Sequence, residues 1–230
     1  MTERRRLSRE VEKLKKQILS LSGDVERMVK QAVRCVSERD AQTAARVEQH
    51  DEEVDMAEVD LEEEVLKLLA LYQPVAVDLR FIVAVLKINN DLERIGDLAV
   101  NIAKRAAMLA TLPECELPFD FPGMASKAQW MLRSALDALV NMDTGLAYDV
   151  LDADDEVDEI NHQMYERVIE GLGSEQRLAD RWILMLGISR LLERIADHAT
   201  NIAEDVIYLT TGEIVRHQER EEYQESGKDA

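Results

Sequence analysis

Apolar residues recur along this chain at steps of three and four, in long runs. Phe81, Val85, Ile88, Leu92, Ile95, Ala99 and Ile102 form one stripe; Met185, Ile188, Leu192, Ile195, Ala199, Ile202, Val206 and Leu209 form another. That step marks one buried face of an α-helix, because side chains three and four apart stack on the same side. The two stripes are also copies. Glu93, Arg94, Ile95, Asp97, Ala99, Asn101, Ile102 and Ala103 reappear without a gap as Glu193, Arg194, Ile195, Asp197, Ala199, Asn201, Ile202 and Ala203. A repeat of this kind makes the chain two versions of one supersecondary unit.

The pattern predicts six helices. The first runs from about Ser8 to Arg39 on Leu14, Ile18, Leu21, Val25, Met28, Ala32 and Cys35. The second runs from about Asp40 to Leu71 and ends at Tyr72-Gln73-Pro74, because proline lacks the amide a helix needs. The third spans about Val77 to Ala110. Pro113, Pro118, Pro122 and Gly123 then mark the break between the halves. The fourth begins near Met124 and carries Trp130, Leu132, Leu136, Leu139 and Met142, with Trp130 a core or interface residue. The fifth runs from about Thr144 to Leu172, terminated by Gly171 and Gly173; the sixth runs from about Gln176 to Leu209, stopped by Thr211-Gly212. Each half thus reads long helix, acidic helix, motif helix, and short loops make neighbours antiparallel. The expected fold is all-α: two tandem three-helix bundles joined end to end. Residues 1–112 form the first, 113–123 the linker, 124–212 the second, and 213–230 a charged, fraying tail.

Composition agrees with aliphatic bundles: 46% of residues are hydrophobic but only 4% aromatic. A formal charge of −19 argues against nucleic-acid binding over most of the surface. Cys35 and Cys115 are isolated, which excludes a disulfide framework and a Cys-x-x-Cys metal motif; Cys35 lies on the apolar stripe and reads as core. No apolar run is long enough for a membrane span and no signal-peptide core opens the chain, so a reduced, cytoplasmic protein is expected. Arg4, Arg5, Arg6, Arg9, Lys13, Lys15 and Lys16 make the start of the first helix basic. A solvated helix end explains that cluster most simply. The functional alternative is contact with an acidic partner or, at most peripherally, with an anionic membrane surface.

Off the apolar stripe lies the chemistry. Glu93, Asp97 and Asn101 stand at i, i+4 and i+8, one vertical row of oxygens, and Glu193, Asp197 and Asn201 repeat it. Like charges at i and i+4 cost a helix about 0.2–0.5 kcal/mol, which an exposed helix easily avoids. The preceding helix is also acidic: Glu48 to Glu64 holds ten carboxylates and no Lys or Arg. Asp51, Asp55, Glu58 and Glu62 share one face there; Asp154 and Asp158 answer Asp51 and Asp55, and Asn161 answers Glu58. Pairing the acidic and motif helices brings four carboxylates and one asparagine together in each half. The expected ligand sets are Asp51, Asp55, Glu93, Asp97 and Asn101, and Asp154, Asp158, Glu193, Asp197 and Asn201. Carboxylates so close either protonate or share a cation, and an all-oxygen set suits hard ions such as Mg²⁺, Ca²⁺, Mn²⁺ or iron. A plain solvated acidic face is the alternative for any single pair. His162 reads as a surface residue, since its counterpart is Val59. His198 points away from neighbouring Asp197, and its counterpart is Leu98. Arg94 and Arg194 are expected to pair with carboxylates of the neighbouring helix rather than bind an anion, and Arg80 carries the same two readings.

Pro-Val-Ala-Val-Asp-Leu-Arg at 74–80, Leu-Glu-Arg-Ile-Gly-Asp at 92–97, Leu-Glu-Arg-Ile-Ala-Asp at 192–197 and Thr-Gly-Glu-Ile-Val-Arg-His at 211–217 resemble the hallmarks of the PhoU family of phosphate-transport regulators. The resemblance covers nearly the whole chain. It implies paired acidic motifs that hold multinuclear metal clusters in some members, mapped here onto Asp51 with Asp55, Glu93 with Asp97, Asp154 with Asp158, and Glu193 with Asp197. Iron is the implied metal, with zinc, manganese or magnesium as alternatives. It further implies a cytoplasmic, often homodimeric regulator and not an enzyme. Its implied partners are the phosphate ABC transporter's ATPase and the phosphate-responsive sensor histidine kinase. Two rival readings differ in class. A ferritin-type di-iron oxidase needs Glu-x-x-His pairs, but positions 96 and 196 hold Gly96 and Ala196. A metal-free adaptor would use the acidic rows only to bind a basic partner.

Overall fold

The computed structural model describes residues 3–113, 120–174 and 178–215. Its helices are α1 (Glu3–Glu38), α2 (Ala41–Tyr72), α3 (Ala76–Thr111), α4 (Phe121–Asn141), α5 (Thr144–Ser174) and α6 (Ala179–Thr211), and no strand occurs among the described residues. The middle of the expected linker, Cys115, the expected start of the sixth helix at Gln176 and most of the charged tail lie outside the described residues.

Local chemistry sets the helix ends. Asp40 caps α2: its carboxylate accepts from the backbone N–H of Gln42 at 2.9 Å and of Thr43 at 3.2 Å. Asp120 caps α4 in the same way through Gly123, with Pro122 in the first turn, so α4 starts at Phe121 rather than near Met124. Phe121 is thereby drawn into the core at 1% exposure. The α1 stripe is buried throughout, and Cys35 belongs to it, as expected. Arg39 closes the first bundle: its guanidinium donates to the backbone carbonyls of Leu109, Ala110 and Leu112 at the end of α3, where helix carbonyls run short of amide partners.

The halves are α1–α3 and α4–α6, each a three-helix bundle. They are not stacked end to end. The motif helices α3 and α6 pack side by side and antiparallel: Lys87 meets Asp205, Asp91 meets His198, and Arg105 lies against Gly187. Both helices therefore face neighbours on several sides, which explains why Leu98, Val100, Leu191 and Ile207, lying off the stripes first seen, are also buried. Each fully buried side chain of this size contributes about 1.5–3 kcal/mol.

Gly171 corrects a third expectation. It does not end the fifth helix, which continues to Ser174. A Cβ built on Gly171 would fall 1.1 Å from the Trp182 ring of α6, so the glycine exists to seat that ring. Substituting Gly171→Ala is expected to cost about 2 kcal/mol through overpacking. Gly23 in α1 is the control: nothing lies within 4 Å of its built Cβ, and Gly23→Ala is expected to stabilise by about 0.5–1 kcal/mol. Urea unfolding of the two variants checks the opposite signs.

Candidate metal centres

The acidic and motif helices meet as the sequence implies. In the first half, Asp51 Oδ1 lies 3.4 Å from where a Gly96 Cβ would stand, so α2 crosses α3 one residue before Asp97. Burial raises the Asp51 carboxyl to about 6, reinforced by repulsion from Asp55, Asp97 and Glu93, while Lys104 opposes the rise. Burial also raises Glu93, with Asp97 and Asp55 adding repulsion and Arg94 and His198 pulling the other way. Glu58 joins the cluster, raised by burial and by Glu62, Glu93 and Asp55. All four expected carboxylates of this half are thus brought together.

The second half repeats the arrangement more deeply. Burial raises Asp154 to about 7, with Asp158, Asp197, Asp155 and Glu193 repelling it. Burial raises both Glu193 and Asp197; repulsion from Asp197 and then Asp158 adds to it at Glu193, and repulsion from Asp158 at Asp197. Beneath each patch a polar staple crosses between the same two helices. Asn89 donates to the Glu58 backbone carbonyl and carboxylate, both at 3.0 Å, and Ser189 donates to Asn161 Oδ1 at 3.0 Å. Asn89 and Ser189 have 0% exposure, so these bonds fix the register of each acidic row against its motif helix.

The two asparagines part company. Asn101 is exposed and its amide donates to the Asp97 backbone carbonyl at 2.8 Å. Asn201 turns toward the other half and donates to Asp91 Oδ1 at 3.3 Å. Arg94 pairs with Glu93 at 3.3 Å and Asp97 at 3.6 Å, on its own helix rather than the neighbouring one. Arg80 lies against Gly212 at the end of α6, where a cation offsets the helix's negative pole. His162 is exposed, as expected, and faces Glu166 at 3.5 Å.

What the repeat concealed is the seam between halves. His198 Nδ1 stands 2.7 Å from Asp91 Oδ1, and Lys87 Nζ stands 3.0 Å from Asp205, whose side chain is 2% exposed. The signal was a departure from the repeat: one hundred positions away, Asp91 and His198 correspond to Leu191 and Leu98, and Lys87 and Asp205 to Gly187 and Arg105.

The donor chemistry fits a hard cation. Every group is an oxygen, and most are held above the ordinary carboxylate range by burial and by one another. Asp154 Oδ1 is buried with no hydrogen-bond partner among the described residues, as a ligand atom would be. With the side chains as they stand, no three of the described His, Cys, Asp or Glu residues converge tightly enough to hold an ion. Loading therefore requires rotamer changes, which the exposed Asp55, Asp158 and Asp197 are free to make. No helix among the described residues is long and apolar enough to cross a membrane.

Fold and site together define a class: a duplicated all-α protein with one carboxylate patch between the second and third helices of each half. The PhoU domain family matches residues 18–106 and 121–206, and the chain belongs to that family. It is 36% identical over 213 residues to the "phosphate-specific transport system accessory protein PhoU homolog" of Aquifex aeolicus, covering 93% of this chain and 96% of that protein. A protein of the same description from Pseudomonas aeruginosa is 36% identical over 209 residues, 90% of this chain and 86% of that protein. Among solved structures, PhoU from Pseudomonas aeruginosa superposes with a TM-score of 0.85 at 35% identity, covering 90% of this chain and 99% of that one. The phosphate transport system regulatory protein PhoU from Streptococcus pneumoniae gives 0.80 at 27% identity, covering 91% and 99%.

Proposed function

We propose that this chain regulates phosphate uptake and phosphate-starvation signalling as a non-catalytic adaptor. Its partners in this reading are the phosphate ABC transporter's ATPase and the sensor histidine kinase, and it acts as a homodimer in the cytoplasm. Family membership supports the role in phosphate transport. The observation that carries the mechanism is the pair of half-buried carboxylate patches, each spanning two helices. In this reading Asp51, Asp55, Glu93 and Asp97 hold one metal centre, and Asp154, Asp158, Glu193 and Asp197 the other, each with iron, zinc, manganese or magnesium. The ions supply positive charge that cancels carboxylate repulsion and fastens α2 to α3 and α5 to α6, so the outer surfaces keep a fixed shape for docking.

The test is genetic and chemical together. Deleting the gene is expected to switch on phosphate-starvation genes in phosphate-rich medium, and wild-type protein to silence them. The Glu93→Ala/Asp97→Ala variant is expected to lose metal from the first patch only, by elemental analysis, and to restore silencing in part. Normal repression and uptake in the deletion strain overturns the regulatory reading. Full silencing by a variant that lacks metal overturns the role of the ions and leaves a metal-free acidic adaptor.

A further inference from the structure

At one end of the molecule the turn between α2 and α3 projects aliphatic side chains into solvent. Val75 is 73% exposed, Val77 62% and Leu71 60%, three aliphatic side chains within seven residues of chain. The backbone is forced into this shape: Gln73 at φ 45° and Ala76 at φ 49° bracket Pro74-Val75, both in the left-handed region that non-glycine residues avoid. Gln73 closes α2, its N–H donating to the Leu69 carbonyl, and Pro74 is buried, so the turn is anchored to the fold while Val75 and Val77 are left facing solvent. A cavity of about 550 Å³ opens beside it, and its far wall is Leu7 of α1. The first turns of α1 therefore reach the same end, and there Arg5, Arg6 and Arg9 are exposed on either side of Leu7.

Residues 5–16 hold six basic and two acidic residues in a chain whose formal charge is −19. Charge and apolar surface are thus segregated together at one pole. Asp78 is an acidic residue in the cavity wall, Lys13 is engaged by Glu64 at 3.4 Å and Arg9 by Glu10 at 4.0 Å, so Arg5 and Arg6 carry most of the basic charge at the tip. A strongly acidic protein is repelled by an anionic bilayer everywhere except at such a pole, which fixes its orientation as it approaches. Basic residues at headgroup level around projecting aliphatic residues are the complement of an anionic lipid surface.

We propose that this pole, the α2–α3 turn with the start of α1, docks the protein on an anionic lipid bilayer. The proposal goes beyond the phosphate reading and uses none of the metal patches, so either stands if the other fails.

The test is co-sedimentation of the full chain with two kinds of vesicle: phosphatidylcholine alone, and phosphatidylcholine mixed with phosphatidylglycerol. Binding to the mixed vesicles only, falling with salt, is expected. Arg5→Glu/Arg6→Glu/Arg9→Glu is expected to weaken partitioning by about a hundredfold or more. Val75→Asp/Val77→Asp, at exposed positions that the core does not use, is expected to weaken it at least about tenfold while helix content by circular dichroism stays unchanged. No binding to mixed vesicles at low salt overturns the proposal and leaves the pole to an acidic protein partner. Binding that survives both variants, or that ignores the valine pair, overturns it as well.

Discussion

Saturating metal is expected to raise the stability of chelator-treated protein by about 5 kcal/mol at neutral pH. That figure is about 2.7 kcal/mol per patch with metal at a hundredfold excess over Kd. Without metal, pH should act in the direction set by the carboxyls. Asp51 is raised from 3.8 to about 6 and Asp154 from 3.8 to about 7, both by burial first and by neighbouring carboxylates second. A raised carboxyl binds its proton more tightly in the folded chain than in the unfolded one. Its contribution is therefore most favourable below the unfolded value and is lost as pH rises through the folded value. Between pH of about 5 and 8 the metal-free protein should lose roughly 3 kcal/mol, a total already reduced because solvent screens half-buried groups. Metal inverts the slope, since ions bind only the deprotonated ligands. Urea unfolding across pH, with chelator and with each metal in turn, measures both effects. A flat or rising profile with chelator, or no gain on adding metal, contradicts the patches as drawn.

The sequence exposed what repeats and hid what does not. Helix number, the stops at Pro74 and Gly212 and the pairing of acidic with motif helices were legible because each rests on short-range spacing; the caps at Asp40 and Asp120 were not read, and α4 accordingly starts three residues before Met124. Meeting of Asp51 with Glu93 and Asp97 followed from antiparallel neighbours alone. Gly171 misled because a glycine near a helix end ordinarily stops the helix; only the position of Trp182 in another helix reveals its use. The side-by-side docking of α3 and α6 was also hidden. Apolar stripes show that a helix is buried but not how many neighbours bury it. Asn201 illustrates the limit: as part of the repeat it looks equivalent to Asn101, yet the seam takes its amide for Asp91.

His198→Leu is expected to destabilise the protein by about 3 kcal/mol, because Asp91, 8% exposed, is left with only the Asn201 amide at 3.3 Å. Asp91→Leu should cost less, about 1–2 kcal/mol, because His198 at 17% side-chain exposure retains some contact with water. The double variant should return to within about 1 kcal/mol of wild type, since a buried hydrogen-bonded pair replaced on both sides by apolar side chains of similar volume is often nearly neutral. The chain itself supplies the precedent: the counterpart positions already hold Leu191 and Leu98, buried at 7% and 3%. Packing across an antiparallel helix pair therefore accepts two leucines at this level. A double-mutant cycle in urea, run with chelator so that neighbouring Asp197 has no metal to lose, isolates the coupling. Additive losses in the double variant would mean that the polar pair sets the register of the two halves, a task that leucines cannot perform.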